Sequence, residues 1–462
     1  MGKNSKNKMQ DIKIGLEIHG YLNTEKKLFC NCDSIHSPTT IPNTSICPIC
    51  TGQPGSKPMK PNKEAIEKFL QTSLMLNCKI NPKFRFQRKH YNWPDLPKGY
   101  QDTISGAHST NPAVEGKFEN IKIIEAHLEE DPAAWNPETG CIDYNRSGLP
   151  LIEIVTYPEF KTSEEVATWL KNLILTLSYI KTIDKKLGLK VDVNISINQE
   201  FGGNRVEVKN LHSIEEIKKA IEFEIIRQEK QGTQKETRRY DSSKNQTTVM
   251  RAKENLEDYE FIPDPDLPTI TLDKKQTEKI KSSLPESPQQ KLKKLIKKHK
   301  INTYSANVLS KNLEIVEFFE HVAESIPPAF ALDWITIELL RVLKYNKKEL
   351  DQVEINVKHF IELLQAVKDK KLTELKAKQI LNQFIPKSFS IKDTLKDVKT
   401  IDNKSQIETL AKQVIKENPK AVEDFKAGEQ KSINFLIGQV MRLSERRADF
   451  KVAKNILEKL LK

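Results

Sequence analysis

The sequence predicts an α+β protein: an antiparallel-sheet cradle followed by an all-helical domain and a small helical tail domain. Three observations carry that expectation. Turn formers and short runs of period-2 alternation fill the first 270 residues. The last 192 residues hold only two glycines, Gly428 and Gly438, and space their apolar residues as helices do. Between the two regions, the three prolines of Phe261-Ile-Pro-Asp-Pro-Asp-Leu-Pro268 cannot continue a helix and mark a boundary or an extended strap. The expected domains are residues 1–285, 286–390 and 391–462.

The strands are read from alternation. In Ile12 to His19, Ile12, Ile14, Leu16 and Ile18 point one way, and Lys13, Gly15, Glu17 and His19 point the other. Val191, Val193, Ile195 and Ile197 leave Asp192, Asn194, Ser196 and Asn198 together, while Arg205, Glu207 and Lys209 share a face opposite Val206 and Val208. A sheet with one apolar face and one face of acids, amides and bases suits a scaffold whose second face lines a polar cleft; a solvated outer face would give the same pattern. In the tail, Leu292, Leu295 and Ile296, then Leu309, Leu313 and Val316, then Val452, Ile456 and Leu460 follow helical spacing. Pro285, Pro288, Pro327-Pro328 and Pro386 divide it into bundles.

The net charge of +12 is unevenly placed. Residues 1–270 balance 37 Lys and Arg against 37 Asp and Glu, so the whole excess lies beyond them. That asymmetry suits a balanced front part and a tail that meets a polyanion, although a Lys-rich solvated surface accounts for it equally well. No run of 18 apolar residues occurs, and Met1 to Gln10 has no apolar core of the secretory kind, which predicts a cytoplasmic protein without membrane segments.

All six cysteines precede residue 150. Cys30-Asn-Cys32 and Cys47-Pro-Ile-Cys50 form a four-thiolate set at knuckle spacing that suits tetrahedral, structural Zn2+, with no position left for substrate. The other chemical constellation is acidic. Glu17 with His19, and Glu125 with His127 and Glu129, share strand faces, and Glu153 interrupts the apolar run Leu151-Ile-Glu-Ile-Val155. A carboxylate so placed must be paired, protonated or metal-bound, and oxygen ligands with an imidazole suit Mg2+ or Mn2+. Gly52-Gln-Pro-Gly55-Ser-Lys57 lacks the spacing and the hydroxyl of a phosphate-binding loop, so a nucleotide here would be held by side chains and metal. Phe84 to Asp95 interleaves basic and aromatic residues, a mixture that clamps phosphates and stacks a base, or that simply packs a hairpin.

Taken in order, Ile14-Gly-Leu-Glu-Ile-His19, Cys47-Pro-Ile-Cys-Thr-Gly-Gln-Pro-Gly55, Arg88-Lys-His-Tyr-Asn-Trp-Pro-Asp-Leu-Pro-Lys98, His127-Leu-Glu-Glu-Asp131, Asp143-Tyr-Asn-Arg-Ser-Gly148, Leu151-Ile-Glu-Ile-Val155, Arg205-Val-Glu-Val-Lys-Asn210 and Pro263-Asp-Pro-Asp-Leu-Pro268 resemble the B subunits of aspartyl/glutamyl-tRNA amidotransferases (GatB), in the archaeal form that carries the cysteine set. The resemblance continues to Asn434-Phe-Leu-Ile-Gly-Gln-Val440. It implies that residues 1–285 are a catalytic cradle and the tail a tRNA-binding domain. The implied reaction phosphorylates the side-chain carboxylate of Asp-tRNA(Asn) or Glu-tRNA(Gln) with ATP and Mg2+, and ammonia then displaces phosphate. Ammonia would come from an amidase-type A subunit, with a small C subunit completing a heterotrimer.

By motif match, Glu17, His19, Glu129, Glu130 and Glu153 are expected around Mg2+, with Asp192 and Asn194 behind them. Lys89, Tyr91, Lys98, Arg146, Arg205 and Lys209 are expected to meet the nucleotide phosphates or the aminoacyl-adenosine end. The chain departs from the family at His90, Trp93, Lys190, the run Gly99-Tyr-Gln-Asp-Thr-Ile104 and a short Ala107–Gly116 loop. The related E subunit carries an inserted synthetase-like domain for which 462 residues leave no room. A rival of another kind, a zinc-containing protein that only positions tRNA, predicts RNA binding without ATP consumption.

Overall fold

The computed structural model describes residues 12–35, 39–184, 187–197, 205–232, 235–251, 259–392, 404–429, 431–444, 448 and 450–461. Asn198 and the polar start, Met1 to Gln10, lie outside the described residues. The chain divides into two compact units, Met1–Ser287 and Pro288–Lys462.

The first unit is organised by a 12-stranded sheet. Ten of its strands form a continuous path: β1 (Ile12–Tyr21), β2 (Gln87–His90), β3 (Gln101–Thr103), β4 (Ile121–Glu130), β5 (Pro150–Thr156), β6 (Leu189–Ile197), β7 (Val206–Leu211), β8 (Glu236–Asp241), β9 (Gln246–Arg251) and β10 (Glu260–Pro263). Their order is β9-β8-β7-β6-β1-β5-β4-β3-β2-β10. The path is antiparallel except where β7 and β8 run parallel, a connection made through the helix Ile214–Gln231. The alternation in β1, β5 and β6 resolves as two faces. Ile14, Leu16, Ile18, Ile152, Ile154, Val191, Val193 and Ile195 join one apolar core beneath the sheet. Three helices complete that core: α1 (Lys63–Met75) through Phe69 and Leu70, α2 (Ser163–Tyr179) through Trp169, Leu170 and Leu173, and α3 (Ile214–Gln231) through Ile217 and Ile221. Each such aliphatic side chain contributes about 1.5–3 kcal/mol of burial free energy.

The helix starts follow from local chemistry. Thr162 Oγ1 accepts from Glu165 N and Ser213 Oγ from Glu216 N, while Glu165 and Glu216 reach back to the Lys161 and His212 amides. These reciprocal bonds satisfy donors that the first helical turn leaves orphaned.

The proline-rich strap closes the first unit rather than separating it from the second. Its start is β10, paired with β2 at the sheet edge. Beyond it, Asp264 accepts from the Asp266 and Leu267 amides, and Arg88 reaches Asp264 at 2.6 Å and Asp266 at 2.5 Å. Ile270–Thr271 then pairs with Lys83–Phe84, and the unit ends beyond the helix Lys274–Ser283.

The second unit is helical. Leu295 to Ile391 contribute one apolar cluster, and Ile407 to Leu461 another. Pro288, Pro328 and Pro419 each stand in the first turn of a helix, where a missing amide is harmless. Two periodic readings shift. Leu309 ends one helix and Leu313 opens the next, because Asn312 caps the second by accepting from Ile315 N. In Phe450–Leu461 the core face is Ala453, Leu457 and Leu461; Val452 and Ile456 flank it and Leu460 is exposed. Among the described residues no helix is long and apolar enough to cross a membrane. In urea unfolding, Leu457→Ala is expected to cost about 2–5 kcal/mol and Leu460→Ala under about 0.5 kcal/mol. Equal costs would contradict this phase.

Candidate active site

Strand register builds the site. In an antiparallel sheet, directly opposed residues project on the same face. His19 opposes Glu153 across β1 and β5, and Glu153 opposes His127 across β5 and β4. These three form one row across the polar face of the sheet, with Glu129 two residues along β4 and Glu17 two residues back along β1. His19 Nδ1 lies 3.8 Å from both Glu129 and Glu153. One donor atom from each of His19, Glu129 and Glu153 falls within 4.8 Å of the others. His127 supports the group from behind: its Nε2 is 3.1 Å from Glu153 and 3.9 Å from Glu129. Glu125 sits 3.3 Å from Nδ1 of His127 without a well-aligned hydrogen bond.

Burial alone would favour a neutral imidazole at His127, which is 2 % exposed, but the Glu153 charge and the closeness of Glu125 outweigh it and push the ring up to about 10. Burial also acts to raise Glu153, yet His127 and His19 overcome it and hold that carboxyl below the usual range. Glu129 is raised, by burial first and by the Glu153 charge second. Two carboxylates and an imidazole, flanked by buried His127, form a hard donor set of the kind that takes Mg2+ or Mn2+.

Glu17 belongs to an adjoining group. It lies with Asp192 and Glu207 within the same 4.8 Å limit, and Asn194 Nδ2 donates to it at 2.8 Å. Lys209 Nζ approaches Glu207 at 2.8 Å and Asp192 at 3.4 Å. Burial is the largest influence raising Glu17, followed by the charges of Glu153 and Glu207.

Several expected site residues lie elsewhere. Glu130 points to the opposite face from Glu129, where its Oε1 lies 2.6 Å from Lys98 and accepts from the Asp102 amide. Lys98 also pairs with fully buried Asp102 at 2.7 Å, so both Glu130 and Lys98 are held within the fold and neither faces the acidic row. Arg146 is committed as well. It pairs with Asp131 at 2.9 Å and donates to the Pro132 and Ala133 carbonyls, while Tyr21 OH donates to the same aspartate. Arg205 is exposed and stands one residue before β7. Lys89 lies over the Tyr259 ring at 4.7 Å, and its charge bears on both Glu129 and Glu153. Tyr91 packs edge-on to Tyr259 with ring centroids 5.9 Å apart.

Glu207, Asp102, Asp131 and Tyr21 were not anticipated in these roles. Extending the β1 alternation by one step reaches Tyr21, and the shared face of Glu207 and Lys209 already pointed to their pairing. Asp102 and Asp131 gave no periodic signal.

Cys30, Cys32, Cys47 and Cys50 bring their sulfurs within 4.8 Å of one another. All four are free thiols, and the closeness of Cys30 and Cys50 lowers the Cys50 thiol and pushes Cys30 upward. Four thiols clustered this closely suit a tetrahedral thiophilic cation. The purified chain is expected to carry about one zinc per molecule, and Cys47→Ser to lose it and lower the melting temperature of the first unit. Metal analysis finding no bound zinc in the unaltered chain would contradict this.

Comparison with known proteins agrees across both units. Residues 12–278 match the family described as the GatB/GatE catalytic domain, and residues 317–461 match the GatB domain family. The chain is 43% identical over 449 residues to the B subunit of the aspartyl/glutamyl-tRNA(Asn/Gln) amidotransferase of Methanobrevibacter smithii, covering 95% of this chain and 97% of that one. It is 42% identical over 446 residues to the corresponding protein of Methanothermobacter thermautotrophicus, with 95% and 97% covered. For the Methanocaldococcus jannaschii protein of the same name the identity is 40% over 475 residues, with 98% and 99% covered. With identity of this level along nearly the whole chain and both family matches in place, the chain belongs to the GatB family, the B subunits of aspartyl/glutamyl-tRNA(Asn/Gln) amidotransferases.

Proposed function

We propose that this chain phosphorylates the side-chain carboxylate of Asp-tRNA(Asn) or Glu-tRNA(Gln) with ATP and Mg2+, and amidates it with ammonia from a glutaminase partner. The observation that carries this reading is the row of His19, Glu153 and His127 with Glu129 beside it. A carboxylate is a poor acyl donor until one of its oxygens becomes a leaving group. Transfer of the γ-phosphoryl group to that oxygen, releasing ADP, makes it one. Ammonia then attacks the carbonyl carbon, the C–O bond to phosphate breaks, and loss of a proton leaves the amide. Bound Mg2+ would screen the repulsion between the two anions that meet in the first step.

The chain's own residues have distinct tasks in this proposal. His19, Glu129 and Glu153 hold the cation, and Glu17 acts from the adjoining group. His127 fixes the Glu153 carboxylate by its 3.1 Å contact and compensates its charge. Lys89, beside Tyr259, supplies a positive charge to an incoming phosphate. Lys209 neutralises part of the Asp192 and Glu207 pair and so limits repulsion of the substrate. The four-cysteine set is a structural zinc site that stiffens the loops around the cleft. An amidase-type A subunit and a small C subunit complete the heterotrimer, the tail contacts the tRNA, and the assembly works in the cytoplasm.

The test is ADP formation by the assembled heterotrimer with Asp-tRNA and Glu-tRNA supplied separately. Glu153→Gln is expected to lower tRNA-dependent ADP formation by on the order of 100-fold or more while glutaminase activity persists. Full activity in that variant would remove Glu153 from the site. Binding of tRNA without any ADP formation by the unaltered complex would overturn the kinase assignment.

A further inference from the structure

We infer that Trp93 and Trp135 form a preorganised stacking site for a nucleobase beside the end of β4, the strand that bears Glu129. The inference deepens the proposed function and rests on it for the substrate's place. The two indoles meet at right angles with ring centroids 5.5 Å apart. Trp93 is 56 % exposed, whereas Trp169 and Trp334, the other two tryptophans, are 2 % and 5 % exposed. An indole left this open is unusual in a folded core-forming chain and is the kind of π-face on which a base stacks.

Both rings sit on chain that is firmly held. Trp93 follows β2, and its carbonyl accepts from Leu96 N; two residues later the Asp95 carbonyl accepts from Ala133 N, which ties this loop to the chain leading into Trp135. Trp135 belongs to a short hairpin, Ala134–Trp135 against Ile142–Asp143. Arg146 secures the base of that hairpin through the Pro132 and Ala133 carbonyls, and Asp143 Oδ1 accepts from Asn43 N beside the cysteine knuckle. On the other side, Gly52 abuts the Pro97 carbonyl so closely that a Cβ there would stand 2.1 Å from the oxygen. The indole pair is thus braced from two directions and loses little freedom on receiving a ligand.

Its place suits a substrate of the acidic row. The Asp95 carbonyl is bonded at 2.9 Å to Ala133 N, on the chain that continues directly from β4, the strand of Glu129. Trp93 is two residues from Asp95, at most about 7 Å of chain. In an aminoacyl-tRNA the reacting carboxylate is esterified through its amino acid to the terminal ribose, so the base on that ribose must lie near the row when the carboxylate reaches it. Adenine from ATP would use the same ring chemistry.

The test uses the full heterotrimer and reads binding rather than turnover, so it remains informative if the phosphorylation reading fails. An acceptor-stem minihelix ending in CCA, the same minihelix without its terminal adenosine, and ATP are titrated separately, following tryptophan quenching and, for each variant, an independent dissociation constant. Trp93→Ala is expected to weaken the CCA minihelix by on the order of 10- to 100-fold, with Trp93→Phe restoring most of it. Trp135→Ala is expected to weaken it by a smaller factor. Loss confined to the CCA minihelix assigns the site to the terminal base of tRNA, and loss confined to ATP assigns it to the nucleotide; either supports base stacking. Unchanged affinity for both ligands in Trp93→Ala, with the variant folded as judged by its melting temperature, would overturn the inference.

Discussion

The first unit depends on how it compensates carboxylates gathered on one sheet face. Glu17, Glu125, Glu129, Glu153, Asp192 and Glu207 crowd that face, against His127 and Lys209 with His19 and Lys89 at the margin. Half-buried charges at these separations interact by several kcal/mol each, so the arrangement is tolerable only with cations close by. His127 meets part of this need and Lys209 another part. The acidic excess that remains around His19, Glu129 and Glu153 is what a divalent cation would close. The same rule governs the opposite face, where Lys98 answers Asp102 and Glu130, and the strap, where Arg88 answers Asp264 and Asp266.

That division of cations explains which assignments were legible in the sequence. The alternation of β1 and β6 put Glu17, His19, Asp192 and Asn194 on one face because a strand's period leaves no freedom in side-chain direction. The same parity argues against pairing Glu129 with Glu130, adjacent residues that must point apart; motif matching alone joined them. Lys98 and Arg146 lie in loops, where period carries no direction, and only tertiary structure shows that each is already occupied by buried acids. Arg205 is exposed, one residue before its strand begins. In the tail, the Val452, Ile456 and Leu460 spacing was correct for a helix but one position out of phase with its core, because small Ala453 marks the buried stripe as surely as a leucine does.

The cysteine knuckle contributes to the cleft without entering it. Asn145 Oδ1 accepts from the Thr44 and Ser45 amides, Ser147 Oγ donates to the Cys50 carbonyl, and buried Lys27 donates to the Tyr144 carbonyl. These bonds bind the knuckle to the segment that also carries Arg146, and Arg146 in turn fixes Asp131 at the end of β4. Rigidity at the knuckle therefore reaches the strand that bears Glu129 through a short series of hydrogen bonds. Spacing in the sequence revealed the four thiols; it could not reveal what they brace.

The central claim is that the side-chain carboxylate itself receives the phosphoryl group. Its most direct measurement uses Asp-tRNA or Glu-tRNA labelled with oxygen-18 in the side-chain carboxylate, turned over by the proposed heterotrimer with ATP, Mg2+ and glutamine, followed by mass analysis of the released phosphate. Phosphorylation of the carboxylate predicts one labelled oxygen in that phosphate for each amide formed. Amide formation with unlabelled phosphate would contradict it.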